Sequence, residues 1–437
     1  MSISSRLKQE DDGKSRLLNL PDESHDEIFL RLPAKSILSS RCVCKHFYNL
    51  LSKPSFIKNH VNRNKNNNPN LLFKHHSGSY GPMIYSIGID YDALLLPSST
   101  TSAEFDGSVM INYPFKPKSL NAPHILGSCN GLICLKIHSI VNIGNLVRSR
   151  FEETDYFSIL NPLTREFKEF KKSGDAGYDI SYGFGYDSKI DDFKLVMVSL
   201  YAKGCVKFDV YKVKSDSWSS FPSTVNYSFR KKNGVFFNGC LHWLGSIKTR
   251  GTSSEVIVSF DISNETVLEM PLPENIMPPV DYSGKVYKNV GLWGGCIGIA
   301  FIWNSVRIGV WVMQKYGVKE SWIKKYTLTT AQLPSPSHKI TFWRPLWCFD
   351  NGEILVNAEG NQLHLYDPTT ERVRSVVIRD ITMDNSRESY VESIVSVGSG
   401  TFMEKRVTDG DMKNSERQRL SSKNEAKRSS MSDVKSS

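Results

Sequence analysis

Apolar residues along the chain follow two rhythms, and the change between them falls near residue 70. Before it, LPDESHDEIFLRLPAKSILSSRCVCKHFYNLLSKPSFIKNHV spaces its apolar positions three and four apart, the period of helices that bury one face. Leu20-Pro21 leads in, and Asp22 is placed to cap a first short helix on which Ile28 and Leu32 share a face. Pro33 suits the first turn of a second helix, where its missing N–H would have no partner in any case. In that helix Leu38 and Cys42 lie on one side, and Val43, Phe47, Leu50 and Leu51 continue at i, i+4, i+7 and i+8. Pro54 opens a third helix in the same way, with Phe56, Ile57, His60 and Val61 available for its inner face. The pattern predicts three helices over residues 19–61. A unit of that size hides little of its own surface and needs a partner or the rest of its chain.

The polar run NRNKNNNPN over 62–70 is too poor in apolar residues to pack and reads as a linker. From Leu71 to about Gly400 the helical spacing gives way to short β-type runs punctuated by Gly, Asn, Asp and Pro. One element recurs as an apolar strand, a tight polar turn and a second strand: FSILNPLTREFKEF, KFDVYKVKSDSWSSF, IVSFDISNETVLEM, IGVWVMQKYGVKESWIKKY and LHLYDPTTERVRSV. Asn161, Tyr211, Asp261, Val312 and Asp367 mark equivalent points in it, roughly 50 residues apart. A second element precedes each, a turn leading into an apolar strand: SCNGLICL, YDSKIDDFKLVMV, FNGCLHWL, WGGCIGIAF and DNGEILV. Asn-Gly and Gly-Gly supply the positive φ angles that type I′ hairpin turns need.

Two hairpins per repeat give four strands in about 50 residues, the period of kelch-type propeller blades. Five units are legible between residues 125 and 375. LLFKHH, PMIYSIGI and SVMINY before them, with YVESIVSV after them, would build a further blade closed by both ends of the domain. About six blades are expected, with five or seven left open; a β-sandwich is the alternative, and the stable repeat favours the propeller. The fold class is therefore α+β multidomain: a small three-helix unit followed by an all-β, kelch-like propeller over 71–400.

Composition narrows the function. The 437 residues are 40% hydrophobic and 11% aromatic, enough for a large core. The 55 Lys+Arg exceed 45 Asp+Glu by 10, yet the excess forms no basic block, so no nucleic-acid face is expected. MSISSRLKQEDDGKSR lacks the apolar core of a secretory signal. The uncharged stretch 289–306 has the length to span a membrane, but its Gly294-Gly295 pair reads as the turn of a buried hairpin. Eight cysteines with no CxxC and no second Cys/His pair read as reduced, mostly buried thiols rather than metal ligands. These features predict a soluble protein of the cytoplasm and/or nucleus that makes no membrane contact. Residues 1–18 and 401–437, polar and of mixed charge, read as disordered ends.

No motif calls for catalysis. GxSxG, GxxxxGK[ST] and HExxH are absent from the sequence. Gly183-Phe184-Gly185 reads as a hairpin turn rather than a dinucleotide fingerprint, and His242 in CLHWL as a satisfied core histidine. The aromatic and basic residues of VWVMQKYGVKESWIKKY suit stacking on single-stranded nucleic acid, but they also fit the two faces of a hairpin. No catalytic residue, cofactor or metal is expected. What remains is a protein with two binding ends.

The helical run LPxE…IFLRLPAKSILSSRCVCKHF resembles the plant form of the F-box over its whole length. That resemblance implies a docking surface for a Skp-family adaptor, which in turn binds a cullin scaffold. Leu20, Pro21, Ile28, Leu32, Pro33, Ile37, Leu38, Cys42, Val43 and Phe47 stand at the matching apolar positions, adaptor-facing and core. The match departs at Ser24 and His25, where the family generally has two aliphatic residues, and at Ser39-Ser40. Two fewer buried aliphatics remove roughly a few kcal/mol of apolar burial. The β region is similar to the plant F-box-associated interaction domain. ILGSCNGLICL, ILNPLTREF, YGFGYDSKIDDFKLV, DVYKVKSDSW, GVFFNGCLHWL, VSFDISNETVLEMPLP, VWVMQKYGVKESWIKKYTL and YVESIVSV match in the family's order over most of 125–397. The S-locus F-box proteins of pollen are one branch with this architecture, and HVNRN after the F-box is similar to theirs.

The resemblance implies a non-catalytic substrate-receptor subunit of an SCF-type (Skp-cullin-F-box) ubiquitin ligase that captures an unidentified target protein. The alternative, suggested by Ser24 and His25, is an F-box-fold interaction module that binds a partner without assembling a ligase. Within the propeller, segments that break the repeat are the candidates for target recognition: 138–155, 248–254 and 278–288, each polar or charged with a few apolar anchors.

Overall fold

The described residues 20–65 form four helices: α1 (Asp22–Phe29), α2 (Ala34–Arg41), α3 (Lys45–Leu51) and α4 (Pro54–Arg63). The second predicted helix is broken in two, with Cys44 in an extended conformation at φ −158° and ψ 164°. Geometry explains the break. On one continuous helix Ile37 and Leu50 would point about 140° apart at 3.6 residues per turn, yet both are fully buried. Ending α2 at Arg41 lets α3 start in a new phase, and leaves Val43 70% exposed in the turn. In α1 the inner face is His25 and Phe29 rather than Ile28 and Leu32. Asp22 does not cap that helix. Pro21 is the N-cap and makes no side-chain bond, and Asp22 and Glu23 lie in the first turn, where the helix dipole favours acids. Pro54 stands at the start of α4 as expected, and Phe56 and His60 are buried. The helix runs on into the polar 62–70 segment, where Asn64 is buried through hydrogen bonds to the carbonyls of His60 (2.8 Å) and Leu30 (3.5 Å).

This computed structural model describes residues 20–65, 67, 69–76, 82–89, 102–105, 108–111, 123–142, 151–172, 178–201, 205–229, 233–249, 252–274, 276, 284–334, 340–358, 362–378, 383–400 and 407–408. Residues 1–18, and the 401–437 segment apart from 407–408, lie outside them.

The β region is a propeller of six blades. The chain begins with β1 (Asn70–His76) and β2 (Pro82–Gly88), followed by β3 (Ser102–Phe105) and β4 (Val109–Met110). Blade 2 is β5 (Pro123–Cys129), β6 (Leu132–Asn142), β7 (Phe151–Leu160) and β8 (Phe167–Lys171). Blade 3 is β9 (Tyr178–Asp187), β10 (Asp192–Leu200), β11 (Val206–Lys212) and β12 (Ser217–Pro222). In blade 4, β13 (Tyr227–Phe229) and β14 (Val235–Phe237) lie end to end along β15 (Cys240–Thr249), which pairs with β16 (Thr252–Asp261) and it with β17 (Thr266–Pro271). Blade 5 is β18 (Val286–Trp293), β19 (Cys296–Trp303), β20 (Arg307–Met313) and β21 (Trp322–Thr329). Blade 6 is β22 (Trp343–Cys348), β23 (Ile354–Ala358), β24 (Leu363–Asp367) and β25 (Arg372–Ile378), with β3 added in parallel at its edge.

Both ends of the domain build blade 1. Its inner strand is β26 (Met383–Tyr390), outside which lie β1, β2 and β4, with β27 (Val407–Thr408) paired to β4. The closing strand thus ends at Tyr390, the first residue of YVESIVSV, and residues 391–397 form no strand at all. The inner strands β26, β5, β9, β14, β18 and β22 neighbour one another in turn and close the ring.

Cores lie between neighbouring blades. Phe157 and Phe170 of blade 2 pack with Tyr182, Phe184 and Tyr211 of blade 3, and Phe208 of blade 3 with Phe260 of blade 4. Gly183-Phe184-Gly185 is no turn but part of β9. A Cβ at Gly183 would fall 2.7 Å from Trp243, and one at Gly185 2.5 Å from Phe236, so these glycines let blade 4 approach. Stretch 289–306 is the expected hairpin, with Gly294 and Gly295 both at positive φ between β18 and β19. The five repeat markers fall at or within one residue of the end of each third strand. Among the described residues no helix is long and apolar enough to cross a membrane. All eight cysteines are free, but only Cys129, Cys134 and Cys240 are buried, fewer than the sequence reading expected.

Candidate protein-interaction surfaces

The helical unit has a core built from all four helices. Phe29, Ala34, Ile37, Phe47, Leu50, Leu51 and Phe56 are buried together, with Leu32, Leu38 and Leu163 packed at the edge. Arg41 ties α2 to the end of α3 by donating from Nη2 to the Leu51 carbonyl at 2.6 Å. His60 donates from Nε2 to the Leu32 carbonyl at 2.8 Å, and burial pushes its pKa below the ordinary histidine value. Ile37 and Phe47 therefore serve the core and offer no surface. Leu20, Pro21, Ile28, Pro33, Cys42 and Val43 are exposed, Leu32 and Leu38 half-buried. An exposed apolar set on so small a unit is costly to leave in water and suits a partner.

One residue of this core comes from the far end of the chain. Ile394, 1% exposed, packs among the helices. It belongs to a strap, residues 391–400, that leaves β26 and crosses blade 2. Asn161 donates from Nδ2 to the carbonyls of Ser393 (3.0 Å) and Val395 (2.8 Å), while its Oδ1 accepts the N–H groups of Leu163 and Thr164 in the β7–β8 turn. Ser393 Oγ donates to the Asn130 carbonyl at 2.7 Å, close over Gly131, whose φ of 82° and lack of a side chain make the approach possible. Glu166 accepts the backbone N–H groups of Val397 (2.9 Å), Ser399 (2.9 Å) and Gly400 (3.4 Å). Burial works to raise its pKa, but these bonds and one from Ser396 outweigh it and hold the carboxyl below its ordinary range. The strap fastens the helical unit to the propeller. Asn161 was visible in the sequence only as a repeat marker; Ile394 and Glu166 carried no local signal.

Strands alternate in direction within each blade, so the propeller's loops sort onto two faces. Turns between first and second strands, and between third and fourth, emerge on the face that carries the helical unit, as Asn130-Gly131 and Leu163 do. Turns between second and third strands, and connections between blades, emerge on the opposite face. The described parts of the three candidate recognition segments lead there. The first two extend the repeat instead of interrupting it. β5 stops pairing at Ile137 and β8 at Tyr156, while β6 and β7 continue together from His138↔Asp155 to Asn142↔Phe151. A two-stranded ribbon thus projects beyond blade 2, and a shorter one at Lys248↔Ser253 and Thr249↔Thr252 beyond blade 4. Residues 143–150, 250–251 and 278–283 lie outside the described residues.

The base of the longer ribbon is charged and stiffly held. Lys136 Nζ donates to Asp155 Oδ2 (2.7 Å) and to the Tyr182 hydroxyl (3.0 Å), and His138 Nδ1 lies 2.9 Å from Asp155 Oδ1. Burial works to lower the Lys136 pKa, but Tyr182 and Asp155 more than offset it and hold it above the ordinary value. Lys171 sits over the Tyr156 ring at 4.2 Å. His242, by contrast, is wholly inside. One ring nitrogen lies 3.0 Å from the Val235 carbonyl and the other 2.8 Å from the Tyr316 hydroxyl, and burial pushes its pKa down to about 4. It is a core histidine.

Comparison with known proteins decides the family. Residues 17–59 match the F-box domain, and residues 88–399 match the F-box associated beta propeller domain. This chain belongs to that family of F-box proteins. It is 24% identical over 408 residues to F-box protein CPR1 of Arabidopsis thaliana, covering 87% of this chain and 89% of the relative. It is 26% identical over 388 residues to the F-box/kelch-repeat protein At3g23880 of the same plant, covering 86% and 96%. Among solved structures, the SapL1 lectin with alpha methyl fucoside is similar at a TM-score of 0.37 and 9% identity, over 72% of this F-box protein and 94% of the lectin.

Proposed function

We propose that this F-box protein is the substrate receptor of an SCF-type ubiquitin ligase. The exposed apolar set Leu20, Ile28 and Val43 docks a Skp-family adaptor, and through it a cullin scaffold, in the cytoplasm and/or nucleus. The propeller face opposite the F-box captures a target protein. The chain contributes no catalytic residue. It supplies proximity, holding a target lysine near activated ubiquitin at high effective concentration. The single observation that supports this most is the opposition of the two surfaces: apolar residues exposed on the F-box, 39% for Leu20, 43% for Ile28 and 70% for Val43, and projecting ribbons on the far face.

The test is co-purification of adaptor and cullin with the full chain. An Ile28→Asp/Val43→Asp double variant, whose sites are exposed, should keep its melting temperature and lose both partners. Retention of both by the variant rejects the docking surface. The second reading, a partner-binding module outside any ligase, is favoured by Ser24 and His25 in place of aliphatics. Failure of the wild-type chain to bring down adaptor and cullin decides for it.

A further inference from the structure

His25 is one of the positions at which the sequence departs from the family pattern, and it is not a simple loss of packing. Its imidazole is fully buried, edge-on to Phe47 at 5.3 Å and to His46 at 5.4 Å between ring centroids. Asp22 lies three residues earlier on α1 and so on the same face. His46, near the start of α3, comes near both. One ligand atom from each of Asp22, His25 and His46 lies within 4.8 Å of the others.

We propose that these three side chains bind a divalent transition ion of the zinc class, joining α1 to α3. The donor set, two imidazoles and one carboxylate, is the kind that zinc takes with a fourth position left open. Adjacent ligands around four-coordinate zinc stand about 3.3–3.5 Å apart, from metal–ligand bonds of about 2.0–2.1 Å. His46 Nε2 and Asp22 Oδ1 are already 3.5 Å apart. Lys53 holds the other Asp22 oxygen, Oδ2, at 3.6 Å, which turns Oδ1 toward the histidine. Aromatic packing fixes His25, so little ordering entropy is spent there on binding. A fourth position would be left for water or an acidic group. No feature of the Cys/His spacing in the sequence announces this site, because its ligands come from two helices and include no cysteine. The inference stands independently of the ligase reading.

The test is titration of the full chain with Co2+, followed by competition with Zn2+. One equivalent should give the visible d–d bands of a four-coordinate ion without the near-ultraviolet thiolate charge-transfer band, which separates this site from the eight cysteines. Zn2+ should displace the Co2+ and raise the melting temperature. His46→Ala, at an exposed position, should weaken binding at least tenfold and leave the metal-free melting temperature unchanged. His25→Leu should abolish binding while restoring an aliphatic core residue. Absence of saturable uptake, a thiolate band, or binding indifferent to His46→Ala would overturn the proposal. Should His25→Leu misfold, the His46→Ala result decides alone.

Discussion

Asn161 holds Val395 by its backbone carbonyl, at 2.8 Å, across 234 positions of sequence. The same amide holds Ser393, so the residue between them, Ile394, is presented to the F-box core at a fixed height. A turn residue of blade 2 therefore sets how the helical domain sits on the propeller.

Removing that anchor should uncouple the two domains. Ile394→Ala should cost about 2–4 kcal/mol, as large-to-small core changes do. Asn161→Ala should cost about as much, because it strips bonds from the strap and from its own turn. Calorimetry should show the F-box melting before the propeller in both variants. An unchanged single transition would mean that the strap carries no such load.

Acid should loosen the strap. The Glu166 carboxyl titrates below its ordinary value of 4.5 when folded, so the unfolded chain takes up its proton first. Its contribution is complete above that value and is lost as pH falls through the folded pKa. In Glu166→Gln this part of the acid sensitivity should vanish, read as a flatter melting temperature against pH below 4.5.

His242 predicts a different window. Its pKa is 6.5 when free and about 4 when folded. The unfolded state therefore binds the proton first as pH falls, and stability present above 6.5 drains away between 6.5 and 4. The loss is on the order of 3 kcal/mol, from about 2.5 pH units at 1.36 kcal/mol each. His242→Gln should flatten urea midpoints across that range; an undiminished slope would contradict the assignment.

Gly183→Ala should destabilise by about 1–3 kcal/mol, the cost of overpacking, since its Cβ would press on Trp243 and Leu241. Urea denaturation measures it directly. A neutral result would show that blades 3 and 4 can part without penalty.

Exchanging segments 138–155, 248–254 and 278–288 for short Gly-Ser loops should leave adaptor binding intact and reduce target capture. Unchanged capture would move recognition to another surface.

Periodicity made the blades legible, because each hairpin declares itself by a turn and two flanking apolar runs. Asn130-Gly131, Asn238-Gly239 and Gly294-Gly295 all take the positive φ their sequence announces. What periodicity cannot carry is phase and distance. Val43 looks like a continuation of the Phe47, Leu50 and Leu51 face, but the chain resets its phase before α3 and Val43 turns outward. Gly183 and Gly185 look like a turn because the Trp243 and Phe236 side chains that require them stand on another blade. YVESIVSV alternates as a strand should, yet its backbone lies against side chains of blade 2 rather than a neighbouring strand. The family pattern named the apolar F-box positions but not which of them are buried, as Ile37 and Phe47 are; the His25 cluster was not legible, since it exists only once α1 and α3 pack.

The order of synthesis gives the Ile394 contact a further meaning. The F-box is made first, but its last core residue emerges only after the final inner strand of the ring. During synthesis some 330 residues must follow the helical domain before Ile394 can take its place in that core. A chain that stops early, at any blade, carries an F-box that is never sealed. Under the proposed ligase reading, such fragments would lack both a closed propeller and the Ile394 contact, and should dock an adaptor less well than the full chain.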